Sequence, residues 1–276
     1  MTEHGHHHHP GHAHQHEGNL AEVLDLDAQV LGSYLDGATA WAAERAPAAE
    51  TIVDVGAGSG AGTLALAGRF PRAEVVALDK SADMLARTLN AARAQGLAGR
   101  VRAVEADLNQ SWPAVGGADL IWASSSLHEL ADAQRTMRDM FAALQPGGLL
   151  VVVEMDGLPR FLPDNFHDGL ESRLHALLAG QGWNSHPDWR PGLEKAGFAE
   201  VEQRAFPTVG RSTPDLASRY ALAFLGRMAP ALDGVADAGD LAVLRSLLAD
   251  GGKDTPLVGP DLVVRGSRTA WAARKP

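Results

Sequence analysis

The sequence predicts an α/β protein organised on one mainly parallel sheet, and three features carry that prediction. Apolar runs rich in β-branched residues alternate with segments of helical period from residue 51 to residue 153. The first run, Ile52-Val53-Asp54-Val55, breaks at once into a glycine-dense turn, Gly56-Ala57-Gly58-Ser59-Gly60-Ala61-Gly62, with a helical pattern behind it. A chain of 276 residues with 45% apolar content can also bury a core large enough for one α/β domain with a helical addition.

Taken in order, residues 1–18 are of low complexity: His4, His6, His7, His8, His9, His12, His14 and His16 stand among Gly, Pro and Ala. Such a composition buries no core, so a disordered tail is expected. Its origin is open between a native tail with weak affinity for zinc or nickel, an added purification sequence, and a dedicated metal site; the first is favoured. Residues 20–45 place Val23, Leu24, Leu26, Val30, Leu31, Tyr34, Leu35 and Trp41 near helical spacing, with Gly32 and Gly37 as breaks and Pro47 as the stop. This N-terminal helical cap spans residues 19–47.

After the glycine turn, residues 74–78 read as a second buried strand ending at Asp79, and residues 82–95 as a helix capped by Ser81 and closed by Gly96. Residues 101–104, 118–124 and 149–153 supply the third, fourth and fifth strands. A helix is expected over 132–144, and Pro146-Gly147-Gly148 makes a sharp turn before the fifth strand. Further on, residues 187–196, 215–228 and 240–248 read as helices, and 199–206 and 268–273 as strands. Residues 207–262 are expected to form a helical insertion, a lid or a dimer surface, within a single domain over 19–276.

Composition narrows the function. The chain has no cysteine, which excludes disulfides, thiolate metal sites and cysteine nucleophiles. A net charge of −10 argues against a general nucleic-acid surface and favours a small-molecule partner. No apolar run reaches the length of a membrane span and the N-terminus lacks the core of a secretory signal, so cytoplasmic residence without membrane partners is the expectation.

A glycine turn at a strand's carboxyl end presents backbone N–H groups and a helix N-terminus to a ligand. Asp79 ends the next strand, where a carboxylate can accept both hydroxyls of a ribose. Gly56, Gly58 and Ala61 also satisfy a dinucleotide pattern, so the turn alone does not decide between ligands. Three observations do. Asp54 lies inside the first strand, where a carboxylate suits an ammonium and repels a pyrophosphate. Ala106-Asp107-Leu108 puts another acid at the end of the third strand. Asp54, Asp79, Glu105 and Asp107 together make an acidic crevice, which suits a ligand with cationic parts.

At this point the chain resembles the class I S-adenosylmethionine-dependent methyltransferase family, from Thr51 to Glu154 and more loosely from Leu20 to the end. Val53 to Gly60, VDVGAGSG, resembles the family's first motif, and Asp79 its ribose-binding acid. Met84 resembles the apolar residue lying against the adenine, Glu105 to Leu108 the adenine-edge motif, and Pro146 to Gly148 the turn before the fifth strand. The resemblance implies S-adenosylmethionine as cofactor and a Rossmann-like sheet of order 3-2-1-4-5-7-6 with the seventh strand antiparallel. It implies cofactor contacts from Asp54, Gly56, Ala57, Gly58, Gly60, Asp79, Lys80, Met84, Ala106, Asp107, Leu108 and Ser124. Plainer roles stand beside these: helix–sheet packing for Gly60 and Gly62, capping of backbone N–H groups for Asp54, core packing for Met84.

The acceptor is expected beside the end of the fourth strand, at residues 124–129. His128 is the candidate general base there, the alternative being a histidine packed at the start of the next helix. Glu154 and Asp156 are candidates to orient an acceptor, or else solvated loop acids. Asn165, His167, Trp183, His186 and Trp189 lie in the stretch expected to cover the pocket, where Trp183 and Trp189 serve either stacking or core packing. Amino-directed DNA methylation is disfavoured by the absence of an Asn-Pro-Pro-Tyr or Asp-Pro-Pro-Tyr tetrapeptide, and C5-cytosine and thiol-based arsenic chemistry by the absence of cysteine. The expectation is methyl transfer to oxygen, nitrogen or carbon of a small molecule, with no metal at the site. The rivals are an NAD(P)-dependent oxidoreductase and a non-catalytic S-adenosylmethionine-binding protein; a homodimer is also open.

Overall fold

The structure, a computed structural model, describes residues 10–210 and 213–276. In chain order it comprises α1 (Pro10–Leu31), α2 (Ser33–Arg45), β1 (Thr51–Val55), α3 (Ala61–Arg69), β2 (Glu74–Asp79), α4 (Ala82–Ala94), β3 (Val101–Glu105) and β4 (Ala118–Ser124). These are followed by α5 (Ala133–Ala143), β5 (Leu144–Met155), α6 (Leu170–Gly180), α7 (Arg190–Ala196), β6 (Ala199–Val209), α8 (Pro214–Leu232), α9 (Ala238–Leu248) and β7 (Arg265–Arg274). The seven strands form one sheet of order β3-β2-β1-β4-β5-β7-β6, as expected. β7 runs antiparallel to both β5 and β6, and the other pairings are parallel.

The period of the strands divides the core. Ile52, Trp122, Val151, Val153, Ala270 and Ala272 face one way, and α2, α3 and α4 pack there. Val53, Val55, Ile121, Val152 and Trp271 face the other way, against α5 and α7. A strand buried on both sides must be apolar throughout, which is why the parallel strands read as continuous runs. A third cluster, including Leu26, Leu174, Tyr220 and Phe224, unites α1, α6 and α8.

Several boundaries differ from expectation. α1 begins at Pro10, so residues 10–18 of the expected disordered tail start a helix; residues 1–9 lie outside the described ones. The break at Gly32 is real, whereas Gly37 continues α2, in close approach to Phe206. Helix α6 was not expected, although Leu170, Leu174 and Leu178 have helical spacing directly behind Gly169, its N-cap. Pro146 to Gly148 stay within β5, and β6 continues to Val209, so the insertion's helices begin only at Pro214. Among the described residues no helix is long and apolar enough to cross a membrane.

Candidate active site

The turn after β1 is built by its glycines. Gly56, Gly58 and Gly60 have φ of 67°, 54° and 97°, a region costly for residues with a Cβ. Two of them also have no room: a Cβ on Gly56 would lie 2.4 Å from Ser126 Cβ, and one on Gly60 2.7 Å from Thr88 Oγ1. Gly58 differs. A Cβ there would meet only Leu24 of α1, at 3.5 Å, so its backbone faces the crevice and α1 lies across it.

Asp79 locks this turn from the end of β2. Its Oδ2 accepts from the Gly58 N–H at 2.8 Å, and its Oδ1 from the Ser81 N–H at 2.9 Å. Ser81 caps α4 by accepting from the Met84 N–H, which seats Met84 at the helix start, buried. Thr88 ties α4 back to the turn through the Gly58 carbonyl at 3.1 Å. Ala57, Gly58, Gly60, Asp79 and Met84 thus come together at the ends of β1 and β2.

Asp54 is placed differently from the expectation of a crevice-facing acid. It is 2% exposed and turned under α3, where Oδ2 accepts from the Thr63 hydroxyl at 2.6 Å. Burial raises its pKa to about 7, opposed by the Thr63 hydrogen bonds and reinforced by the charge of Asp79. The acid braces the helix that carries the turn. Glu105 is exposed at the edge strand, so the expected ring of four acids is reduced at the crevice to Asp79 and Asp107.

Asp107 follows β3 with Ala106 half-buried and Leu108 buried beside it. Its pKa is lowered by the Asn109 backbone N–H, then the Gln110 side chain, with a contribution from Lys80, which is exposed. A carboxylate held ionised at this edge can accept from a ligand's amino group.

At the ends of β4 and β5 lies a second group. His128 sits on a single 3-10 turn, Leu127–Glu129, with Nδ1 2.8 Å from Glu154 Oε2 and Nε2 3.4 Å from Glu129 Oε1. Glu154 is fully buried, so the pair is desolvated on one side and the imidazole is held in one orientation. Burial works to lower the His128 pKa, but the hydrogen bond and charge of Glu154, with Glu129, outweigh it, and the net shift is upward. His186 packs against both His128 and Trp271, at centroid distances of 6.5 and 6.0 Å, and its Nε2 meets the Met155 carbonyl at 2.8 Å. Trp189 is buried core, while Trp183 packs at the edge of the α1–α6–α8 cluster under Arg227. Asp156, Asn165 and His167 lie along the loop after β5, and none forms a side-chain hydrogen bond to His128 or Glu154.

Ser124, at the end of β4, belongs to the opposite face of the sheet, where it lies near the Tyr34 phenol. This neighbourhood opens onto a cluster that the sequence did not reveal. Arg268 of β7, 1% exposed, is chelated by Asp27 of α1 at 2.8 and 3.0 Å, and the Tyr220 hydroxyl of α8 donates to the same Asp27 at 2.6 Å. The available signal was an arginine on the inward face of a strand otherwise alternating alanines, since a buried guanidinium requires a counter-charge.

Comparison with known proteins agrees with this geometry. Residues 53–150 match the methyltransferase domain family. Trans-aconitate 2-methyltransferase of Variovorax paradoxus is 33% identical over 137 residues, 50% of this chain and 48% of the relative. That of Deinococcus radiodurans is 39% identical over 130 residues, 47% and 44% of the two chains. Demethylmenaquinone methyltransferase of Thermus thermophilus is 37% identical over 120 residues, 43% and 52%. The chain therefore spans about half the length of the curated relatives it matches. Among solved structures, a protein of Anaeromyxobacter dehalogenans proposed as a type II methyltransferase shares the fold with a TM-score of 0.59 at 22% identity, covering 87% of this chain and 95% of its own. The YcgJ protein of Bacillus subtilis does so with 0.54 at 16% identity, covering 87% and 98%. The sheet order, the glycine turn locked by Asp79 and the matched segment all agree with the resemblance to class I S-adenosylmethionine-dependent methyltransferases.

Proposed function

We propose that the protein transfers a methyl group from S-adenosylmethionine to a small-molecule acceptor held at the ends of β4 and β5. The observation that supports this most is the Asp79 lock on a glycine turn whose Gly58 backbone faces a ligand crevice. The cofactor, when bound, supplies an electrophilic sulfonium methyl. Gly56 to Gly60 and the N-terminus of α3 hold its amino-acid portion, Asp79 its ribose hydroxyls, and Met84, Asp107 and Leu108 its adenine. Asp54 contributes by bracing α3 rather than by touching the ligand. α1 and the helices between β6 and β7 cover the site and exclude water, and orientation supplies much of the acceleration.

His128 takes a proton at Nε2 while its Nδ1–H donates to Glu154. That role exists only for an acceptor whose nucleophile carries a proton; a carboxylate acceptor has none to lose. The names of the trans-aconitate relatives favour a carboxylate, and the demethylmenaquinone relative a carbon acid. A screen of both acceptors with wild-type and His128→Ala protein separates them. Methylation of trans-aconitate that survives the substitution identifies a carboxylate acceptor, and activity on reduced demethylmenaquinone abolished by it identifies a proton-bearing one. Turnover of neither, with S-adenosylmethionine bound, would leave a binding protein.

A further inference from the structure

The geometry points to Arg268, Tyr220 and Tyr34 as a recognition site for a carboxylate of the acceptor, occupied in this structure by the protein's own Asp27. The place is right for an acceptor. Arg268 is paired in the sheet with Met155, the last residue of β5, and Tyr34 lies near Ser124, the last of β4. These are the strand ends where an acceptor must approach the crevice, on the face opposite His128.

The chemistry is that of a built anion site. The guanidinium lies 4.9 Å from the centre of the Tyr34 ring and gives its Nη2 to both oxygens of Asp27, while Tyr220 gives its hydroxyl to one of them. A planar cation over an aromatic face with a neighbouring phenol is the donor set a carboxylate takes. Arg268 Nε is buried and finds no acceptor among the described residues, so Asp27 leaves a donor unused that a second carboxylate oxygen could take.

Asp27 differs from a fixed structural partner in one respect: it rides on α1, the helix that crosses the glycine turn at Leu24. An acidic acceptor competing with Asp27 for Arg268 therefore competes with the closed position of α1. Entry of the acceptor and displacement of the helix become one event.

The inference rests on the methyl-transfer reading only for the ligand's role as acceptor, because anion binding is measured without turnover. The test is calorimetric titration of the full chain with trans-aconitate, and separately with S-adenosylhomocysteine. Asp27→Ala, which removes the competitor, should bind trans-aconitate at least tenfold more tightly than wild type. Adding Tyr220→Phe should weaken that binding severalfold, and adding Arg268→Gln should abolish it. Trans-aconitate binding no tighter in Asp27→Ala, or binding that survives Arg268→Gln, overturns the proposal. Should Arg268→Gln fail to fold, Tyr220→Phe decides, and unchanged affinity there overturns it. Loss of S-adenosylhomocysteine binding in wild type, with the anion results as expected, would instead refute methyl transfer and leave the anion site standing.

Discussion

The two ends of the site are held together by different physics. Around β1 to β3 the carboxylates are satisfied mainly by backbone N–H groups from 2 to 21 positions away: Asp79 takes those of Gly58 and Ser81, Asp107 that of Asn109, and Asp54 takes the Thr63 hydroxyl. Around β4 to β7 they are satisfied by other side chains. His128 meets Glu154 across 26 positions and Asp27 meets Arg268 across 241. The first end is a local backbone device that works for one ligand class. The second is assembled by the whole fold, and its contents can change without disturbing the first.

If the two ends are independent, substitutions should separate them. The largest effect is expected from Asp79→Ala. Under the proposed function it removes the acceptor of two charge-assisted hydrogen bonds from a ribose, each worth about 1.5–3 kcal/mol, so S-adenosylhomocysteine affinity should fall by about 100-fold or more in calorimetry. The same substitution should leave the His128 end intact. His128→Ala is the converse: cofactor affinity within about threefold of wild type, with turnover on a proton-bearing acceptor lowered about 100-fold in a methyl-transfer assay. A comparable loss of cofactor binding in both variants would show that the ends are not separable.

Stability sharpens the same contrast. Gly60→Ala places a Cβ against Thr88 at a φ of 97° and should cost about 1–3 kcal/mol in denaturant unfolding. Gly68→Ala, in α3 with nothing within 4 Å, should instead stabilise by about 0.5–1 kcal/mol. The turn tolerates no side chain; the helix it opens welcomes one.

The last contrast is a pH slope. Asp54, with a folded pKa near 7 against an ordinary carboxylate value of 3.8, keeps its proton in the fold at pH values where the unfolded chain has lost it. The folded state then binds more protons, so this group makes stability fall as pH rises from about 4 to about 7. Asp54→Asn should flatten that slope in thermal melts across the same range, and an unchanged slope would assign it elsewhere. His128 acts in the same sense. Its raised pKa makes its contribution full in acid and lost as pH rises through the folded value.

The same division explains what could be read from the chain alone. β1 to β5, the glycine turn and Asp79 were legible because each is written in a few adjacent residues with a fixed conformational requirement. The strand order followed from resemblance and matches the sheet. His128 and Glu154 were visible as candidates but not as partners, because strand ends meet only once the register is set. Asp27, Tyr34, Tyr220 and Arg268 were missed because no local pattern links α1, α2, α8 and β7. Asp54 was misplaced for a related reason: a strand position fixes the face of a side chain, and that face lay beneath α3.

The membership of the crevice is tested most directly by calorimetric titration of the purified chain with S-adenosylmethionine and S-adenosylhomocysteine. Saturable binding of both at one site per chain, lost in Asp79→Ala, is the predicted result. No heat with either, together with saturation by NAD or NADP, would contradict it.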